Sequence, residues 1–183
     1  TTGVSLQKMV LRLDSGPLAV CSGEVEILQD DTTPMLGTRL SEVGGDLIRQ
    51  NLQNILEGNF TLTEQNESKA TYCSIIKKED GHLNWKEETA HVIERKLRAY
   101  TPWPGIFSFY KIKSKSDSRH RLQFTKAELV QGNFECGKIY PDLTVGAQTD
   151  GLKILYLKPE GKKEMDADSF LRGNAEILGT VLE

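Results

Sequence analysis

Asp14 is the residue whose type and setting first suggest chemistry. It lies in Leu13-Asp14-Ser15-Gly16-Pro17, a turn by composition, between two short apolar runs. A carboxylate held on a turn can do acid–base work or keep a neighbouring imidazole charged. The same four turn-forming residues make a tight bend in any protein, so the motif alone leaves both readings open.

A second group of candidates is cationic. Residues 95–126 hold nine basic side chains (Arg95, Lys96, Arg98, Lys111, Lys113, Lys115, Arg119, Arg121 and Lys126) against one acid, Asp117. Lys111, Lys113 and Lys115 alternate with Ile112, Ser114 and Ser116, so on a strand the three ammonium groups project from one face. Like charges along one face repel, and folding alone gives them no purpose; a polyanion does. A solvated, lysine-rich hairpin is the other reading of the band; if it meets an RNA, the candidate set is Arg95, Arg98, Lys111, Lys113, Lys115, Arg119 and Arg121, with contacts to phosphate and sugar that position an RNA more than they read it. Arg98 has a competing role, closing a helix C-terminus through the dipole. Trp85 and Trp103 are expected to pack, with Trp103 fastening a linking helix onto the strands beyond it.

Cys21, Cys73 and Cys136 lie more than fifty residues apart, and His82, His91 and His120 form no H-x-x-x-H or H-E-x-x-H pairing. None has a partner at ligand spacing, so neither zinc nor a redox pair is expected. The thiols read as reduced, in a reducing compartment.

These candidates need elements to hold them. Val4, Leu6 and Val10 alternate with polar residues, and residues 18–20 and 25–28 are short apolar runs, so the opening reads as strands. Asp30-Asp31-Thr32-Thr33-Pro34 marks a helix start. Met35, Leu36, Leu40, Val43, Leu47, Ile48, Ile55 and Leu56 form its apolar stripe, which ends before Gly58. Gly44-Gly45 weakens that helix by roughly 1 kcal/mol per glycine, a cost that close packing on a sheet would explain. Residues 59–70 are polar and aperiodic and read as a linker.

Thr89 caps a second helix whose Ala90, Ile93, Leu97 and Tyr100 share a face; Thr101-Pro102-Trp103-Pro104-Gly105 stops it. From residue 106 the period is two: segments 106–112, 122–124, 137–140, 143–147 and 152–157 alternate with turn residues, which predicts a small β-barrel. Residues 165–173 read as a short helix with Phe170 and Leu171 inward.

The chain has 183 residues, 38% hydrophobic and 27% charged, enough for one large domain or two small ones. That composition excludes a collagen-like repeat and a disulfide scaffold, and no apolar run approaches the roughly 18 residues of a membrane span. The net charge of −3 is unevenly divided: residues 1–70 carry five basic and ten acidic side chains, the rest eighteen and sixteen. Thr1 is not a methionine, and the opening suggests an interior piece of a longer chain.

The order of several motifs resembles one family. Thr2-Gly3-Val4, Leu13-Asp14-Ser15-Gly16-Pro17, Asp31-Thr32, Ala70-Thr71-Tyr72, Gly81-His82-Leu83-Asn84-Trp85 and the run from Leu97 through Gly105 occur in the order seen in methionyl-tRNA formyltransferases. Pro159-Glu160-Gly161-Lys162-Lys163-Glu164-Met165 and Phe170-Leu171-Arg172-Gly173 extend the resemblance to nearly the whole chain. Ser15 stands where the family usually has threonine, and Thr1 where it usually has glutamate.

The resemblance implies that residues 1–58 are the end of a Rossmann-like α/β formyltransferase domain, 59–70 a linker, and 71–183 an OB-like, tRNA-binding β-barrel domain with a leading helix. Asp14 would match the catalytic aspartate. Amine attack on a formyl carbon builds an oxyanion, and a carboxylate beside a histidine favours the donating imidazolium. The folate-loop motif and the catalytic asparagine and histidine have no counterpart here, so the chain alone is expected to be inactive.

The implied partners are 10-formyltetrahydrofolate as co-substrate and methionyl-initiator tRNA, with no metal, no membrane and a monomeric state. The implied compartment is the bacterial cytoplasm or, second, an organellar matrix. The alternatives are a sugar-nucleotide formyltransferase, a formyltetrahydrofolate hydrolase domain, and, from another class, a stand-alone RNA-binding module. Asp-Ser-Gly also occurs in retroviral-type aspartic proteases, but that chemistry needs a second carboxylate from a matching motif, and the chain has none.

Overall fold

The computed structural model describes residues 1–111 and 119–183, so Ile112, Lys113, Lys115 and Asp117 lie outside the described residues. Two compact units are present, Thr1–Ile75 and Ile76–Glu183.

In the first unit, β1 (Ser5–Gln7) and β2 (Leu18–Cys21) pair antiparallel, Leu6 opposite Val20. Thr2 bridges Val25, but Val10 and the rest of residues 25–28 lie outside the strands. Residues 59–70 carry ordered contacts: Leu18 and Thr63 exchange two backbone hydrogen bonds of 2.8 and 2.9 Å, adding Thr63 to the edge of β2.

The first helix, α1, runs Thr33–Glu57, with Pro34 in its first turn and Gly58 closing it at φ 71°. Asp31 anchors its start: the buried carboxylate accepts the Leu28 N–H at 2.7 Å and pairs with the guanidinium of Arg39. Of the apolar stripe only Leu47 is buried; Met35, Ile48 and Leu56 are exposed. Gly44 faces Val4, which would touch an added Cβ at 3.5 Å, whereas Gly45 faces nothing within 4 Å. Both distances leave room for a side chain, so close packing requires glycine at neither position.

The second unit is built on α2 (Ala90–Ala99) and one antiparallel sheet. The Thr89 hydroxyl accepts the Val92 N–H, and Ala90, Ile93 and Leu97 are buried. The sheet comprises β3 (Ile106–Lys111), β4 (Arg119–Val130), β5 (Thr144–Gly146), β6 (Gly151–Pro159) and β7 (Met165–Asp166). Its order is β3-β4-β6-β5, with β7 also on β6. Register shifts around Lys126 put bulges in β4, and the sheet curls into a half-barrel whose path ends at β3 and β5.

Segment 137–140, expected as a strand, makes only isolated bridges, Lys138 to Val181 and Ile139 to Val145. The 122–124 segment is the centre of a much longer strand, β4.

Inward residues follow the pleat. Ile106, Ser108 and Tyr110 of β3 and Leu122 and Phe124 of β4 are buried, and the Trp85 indole meets Phe124 edge-on and donates to Ser108 Oγ at 2.8 Å. The last helix, α3 (Ala167–Gly173), is capped by Asp166, whose carboxylate accepts the Ser169 N–H at 2.8 Å, and it buries Phe170. Leu171 is partly buried against the core, and Ile177 and Leu182 complete it. Each such buried side chain contributes roughly 1.5–3 kcal/mol. Among the described residues no helix is long and apolar enough to cross a membrane.

Candidate functional site

Asp14 lies on the turn between β1 and β2 with φ 56°, a left-handed conformation that aspartate tolerates better than most residues. The turn is closed tightly: Lys8 N–H donates to Pro17 O at 2.9 Å, and a Cβ on Gly16 would sit 1.8 Å from Lys8 O, so position 16 requires glycine. Ser15 Oγ donates to Arg12 O at 3.0 Å. Gln65 Nε2 donates to the backbone oxygens of Asp14 (2.9 Å) and Gly16 (2.6 Å), pinning the turn from the outside. The Asp14 side chain is exposed and accepts one long bond, 3.4 Å, from Gln7 Nε2.

A carboxylate fixed by its backbone and left open at its oxygens can meet a charged partner. Gln7 and Gln65 escape sequence reasoning, since Gln65 lies in the stretch that reads as a linker. Around Asp14 the turn exposes Met9, Leu11 and Leu13.

The cationic band divides. Arg98, expected either at the helix end or on RNA, makes a two-pronged pair with Glu94, Nε to Oε1 at 2.6 Å and Nη2 to Oε2 at 3.0 Å. Lys96 pairs with Glu88. Lys111 and Arg119 both reach the Glu183 carboxylate, at 3.1 and 3.4 Å. Arg119 also lies over the Phe109 ring, 4.2 Å from its centroid, and Arg121 over Phe107 at 3.9 Å, with His82 stacked on Phe107 at 5.4 Å. Arg95 and Lys126 are exposed. Lys113 and Lys115 lie outside the described residues, so of the alternating lysines Lys111 alone is placed, on the outward face of β3 with Phe107 and Phe109.

Trp103 departs from expectation. It is 60% exposed, whereas Trp85 is buried at 3%. The outward face of β4 continues past Arg121 through Gln123 and Thr125, and Gln123 lies opposite Lys158 of β6. That register brings Lys158, Lys162 and Lys163, to which sequence reasoning assigns no role, beside the turn that holds Trp103. A cleft of about 550 Å³ separates them. The adjacent lysines in Gly161-Lys162-Lys163-Glu164-Met165 are the available signal.

The three cysteines are free thiols, two of them exposed. Among the described residues no three His, Cys, Asp or Glu side chains are grouped to hold a metal ion.

A family model described as the formyl transferase C-terminal domain matches residues 75–175. Methionyl-tRNA formyltransferases of Dehalococcoides mccartyi and Thermodesulfovibrio yellowstonii are 33% and 34% identical over 188 and 175 residues; the matches cover 98% and 94% of this chain but 56% and 54% of those proteins. The chain thus spans about half the length of the curated relatives it matches.

Among solved structures, HypX from Aquifex aeolicus superposes with TM-scores of 0.61 for a variant and 0.59 for its complex with tetrahydrofolic acid. Those alignments cover 93% and 96% of this chain and 30% of HypX at 15% and 16% identity, a likeness of fold.

Proposed function

Because this chain belongs to the formyl transferase family through its C-terminal domain, we propose that it is the C-terminal portion of a methionyl-tRNA formyltransferase. The observation that carries the reading is the collinear likeness to those enzymes along 98% of the chain. The complete protein would transfer a formyl group to the α-amino group of methionine on initiator tRNA. When bound, 10-formyltetrahydrofolate supplies the formyl carbon.

We read residues 1–58 as the last part of the Rossmann-like catalytic domain, 59–70 as its connection, and 71–183 as the tRNA-binding domain, an OB-like barrel led by α2. The apolar surface of Met9, Leu11, Leu13, Ile48 and Leu56 in the first unit supports the first assignment, since such a surface suits burial against more of the same domain. Asp14 is the catalytic carboxylate of this reading. Its exposed oxygens would face a histidine supplied by residues outside this chain, and its charge would hold that imidazole in the cationic form that donates to a developing oxyanion. The pinned turn keeps the carboxylate in place without reorganisation. In this reading the folate loop, asparagine and histidine are not among these residues, and the 183-residue chain should have no transfer activity.

The second unit supplies affinity. Arg119, Arg121 and, on β3, Lys111 belong to an outward basic face suited to phosphates, and Arg95 is an exposed cation of α2. Glu183 neutralises part of that face by pairing with Lys111 and Arg119, and Arg98 is engaged within α2, so Arg98, Lys111 and Arg119 contribute less than Arg95 and Arg121. A formylation assay of the complete protein with Asp14→Asn tests the catalytic half of the reading. Loss of turnover with tRNA affinity intact agrees with it; unchanged turnover removes Asp14 from the chemistry. Assaying the same protein on an amino-sugar nucleotide separates the sugar-nucleotide alternative.

A further inference from the structure

We propose that the cleft between residues 101–105 and the end of β6 is a ribonucleotide subsite, in which Lys158, Lys162 and Lys163 take backbone phosphates and Trp103 stacks on an adjacent base. It rests on the tRNA reading and deepens it by naming where the RNA lies.

Four observations on different side chains converge here. First, charge: the cleft is lined by Lys158, Lys162 and Lys163 against a single acid, Glu164. The three lysines are exposed, and among the described residues they form no ion pair, unlike Lys96, Arg98, Lys111 and Arg119. Three unneutralised ammonium groups around one cleft repel each other and gain nothing from folding, but each can displace a counterion from a phosphate.

Second, an unmet polar group lies in the cleft wall. Thr125 Oγ1 is buried without a hydrogen-bond partner, and a buried hydroxyl in that condition calls for one. Third, the opposite wall is shaped by close approach: Gly105 adopts φ 69°, and a Cβ there would come within 2.3 Å of Gln123 Nε2, so the 101–105 turn lies directly on the strand. Gln123 thereby presents an amide at the cleft floor.

Fourth, Trp103 follows Pro102, itself part of the lining, and leaves 60% of its surface in solvent. An exposed indole on the turn that contributes Thr101, Pro102 and Gly105 to the lining, with three lysines elsewhere in it, has the composition of a single-stranded nucleic-acid platform, an aromatic face for a base and cations for the flanking phosphates. An acidic peptide would use the lysines but leave the indole idle. The outward row of β4 runs from Arg119 through Arg121 to Gln123, roughly 13 Å at strand spacing, so two cations lie along the strand that leads into the cleft.

The test uses tRNA and the 183-residue chain. Trp85 is buried and hydrogen-bonded, so added tRNA should quench the fluorescence of Trp103. The variant Lys158→Gln/Lys162→Gln/Lys163→Gln should bind more weakly, with a log–log salt slope shallower by about 2 to 3, since each phosphate contact contributes roughly 0.9. Trp103→Ala should weaken binding by about tenfold with the slope unchanged, and Trp103→Phe should recover most of it. All are surface changes, and matching thermal unfolding confirms intact folds.

If the parent chain binds tRNA steeply and these variants bind equally well, the subsite is wrong and the tRNA reading stands. Loss of binding at this cleft through competition by poly-glutamate, with Trp103→Ala silent, identifies an acidic-peptide site and also refutes the proposal. Absence of tRNA binding by the parent chain defeats both readings together.

Discussion

Arg98 and Glu94 meet one helical turn apart on α2 through two hydrogen bonds, of 2.6 and 3.0 Å, with about four-fifths of each side chain withdrawn from solvent. A guanidinium held in that fork has its donors directed at a carboxylate and away from phosphate. Arg98→Gln should therefore leave tRNA affinity and its salt slope unchanged while lowering stability by about 0.5 kcal/mol, the worth of an i,i+4 pair. Urea unfolding and filter binding on the same variant check both halves. A slope shallower by about 0.9 would return Arg98 to the interface.

The Gly105 turn makes a separable prediction. Gly105→Ala introduces a side chain at φ 69° and drives it onto Gln123, so unfolding should become easier by roughly 1–2 kcal/mol. Truncating the obstacle in Gly105→Ala/Gln123→Ala should relieve the collision but not the backbone strain. The two changes should thus be non-additive in a double-mutant cycle, and strict additivity would show that the turn does not rest on Gln123.

Asp166 gives a pH dependence with a definite sign. Hydrogen bonds from Ser169, its backbone N–H first and its hydroxyl second, hold the Asp166 carboxyl below the ordinary value of 3.8. A depressed acid stabilises the fold above its unfolded-state pKa and loses that contribution as pH falls through the folded value. The stability difference between parent and Asp166→Asn should be full at neutral pH and fade below about pH 4. A difference that stays constant down to about pH 2 would contradict the assignment.

Phe124 closes the sheet against Trp85, with ring centroids 5.9 Å apart and 1% of its surface exposed. Phe124→Ala should cost about 3–5 kcal/mol, read as a lowered urea midpoint. Trp85→Phe should cost less, roughly 1–3 kcal/mol, because it leaves the buried Ser108 hydroxyl without its donor.

What the sequence conveys well is local. Thr89 and the positions of Ala90, Ile93 and Leu97 specify α2 within ten residues, and both the cap and the buried face appear as expected. The alternation in residues 106–111 likewise marks β3. β4 is hidden beyond Phe124 because its bulges at Lys126 break the period and because Lys126 and Glu128 face solvent. Segment 137–140 has strand composition, yet its pairing depends on Val145 and Thr180, contacts that periodicity cannot foresee.

The site is legible in the same uneven way. The Asp14 turn can be read from five consecutive residues. The clamp by Gln65 cannot, being fifty-one residues distant. The basic band is visible as composition, but its neutralisation by Glu94 and Glu183 and the gathering of Lys158, Lys162 and Lys163 around one cleft with Thr101 and Pro102 depend on packing and register. Trp103 itself reads as a packing residue, against its observed exposure, because an aromatic between two prolines has the same sequence whether it faces core or solvent.

The affinity of the 183-residue chain for tRNA across a salt titration decides whether it is the tRNA-binding half of a formyltransferase. With about four phosphates engaged, log Kobs should fall linearly with log salt at a slope of about −3.6, with little preference between initiator and elongator tRNA. A slope near zero, or no binding at low salt, would contradict the assignment of this chain to the tRNA-binding half of a formyltransferase.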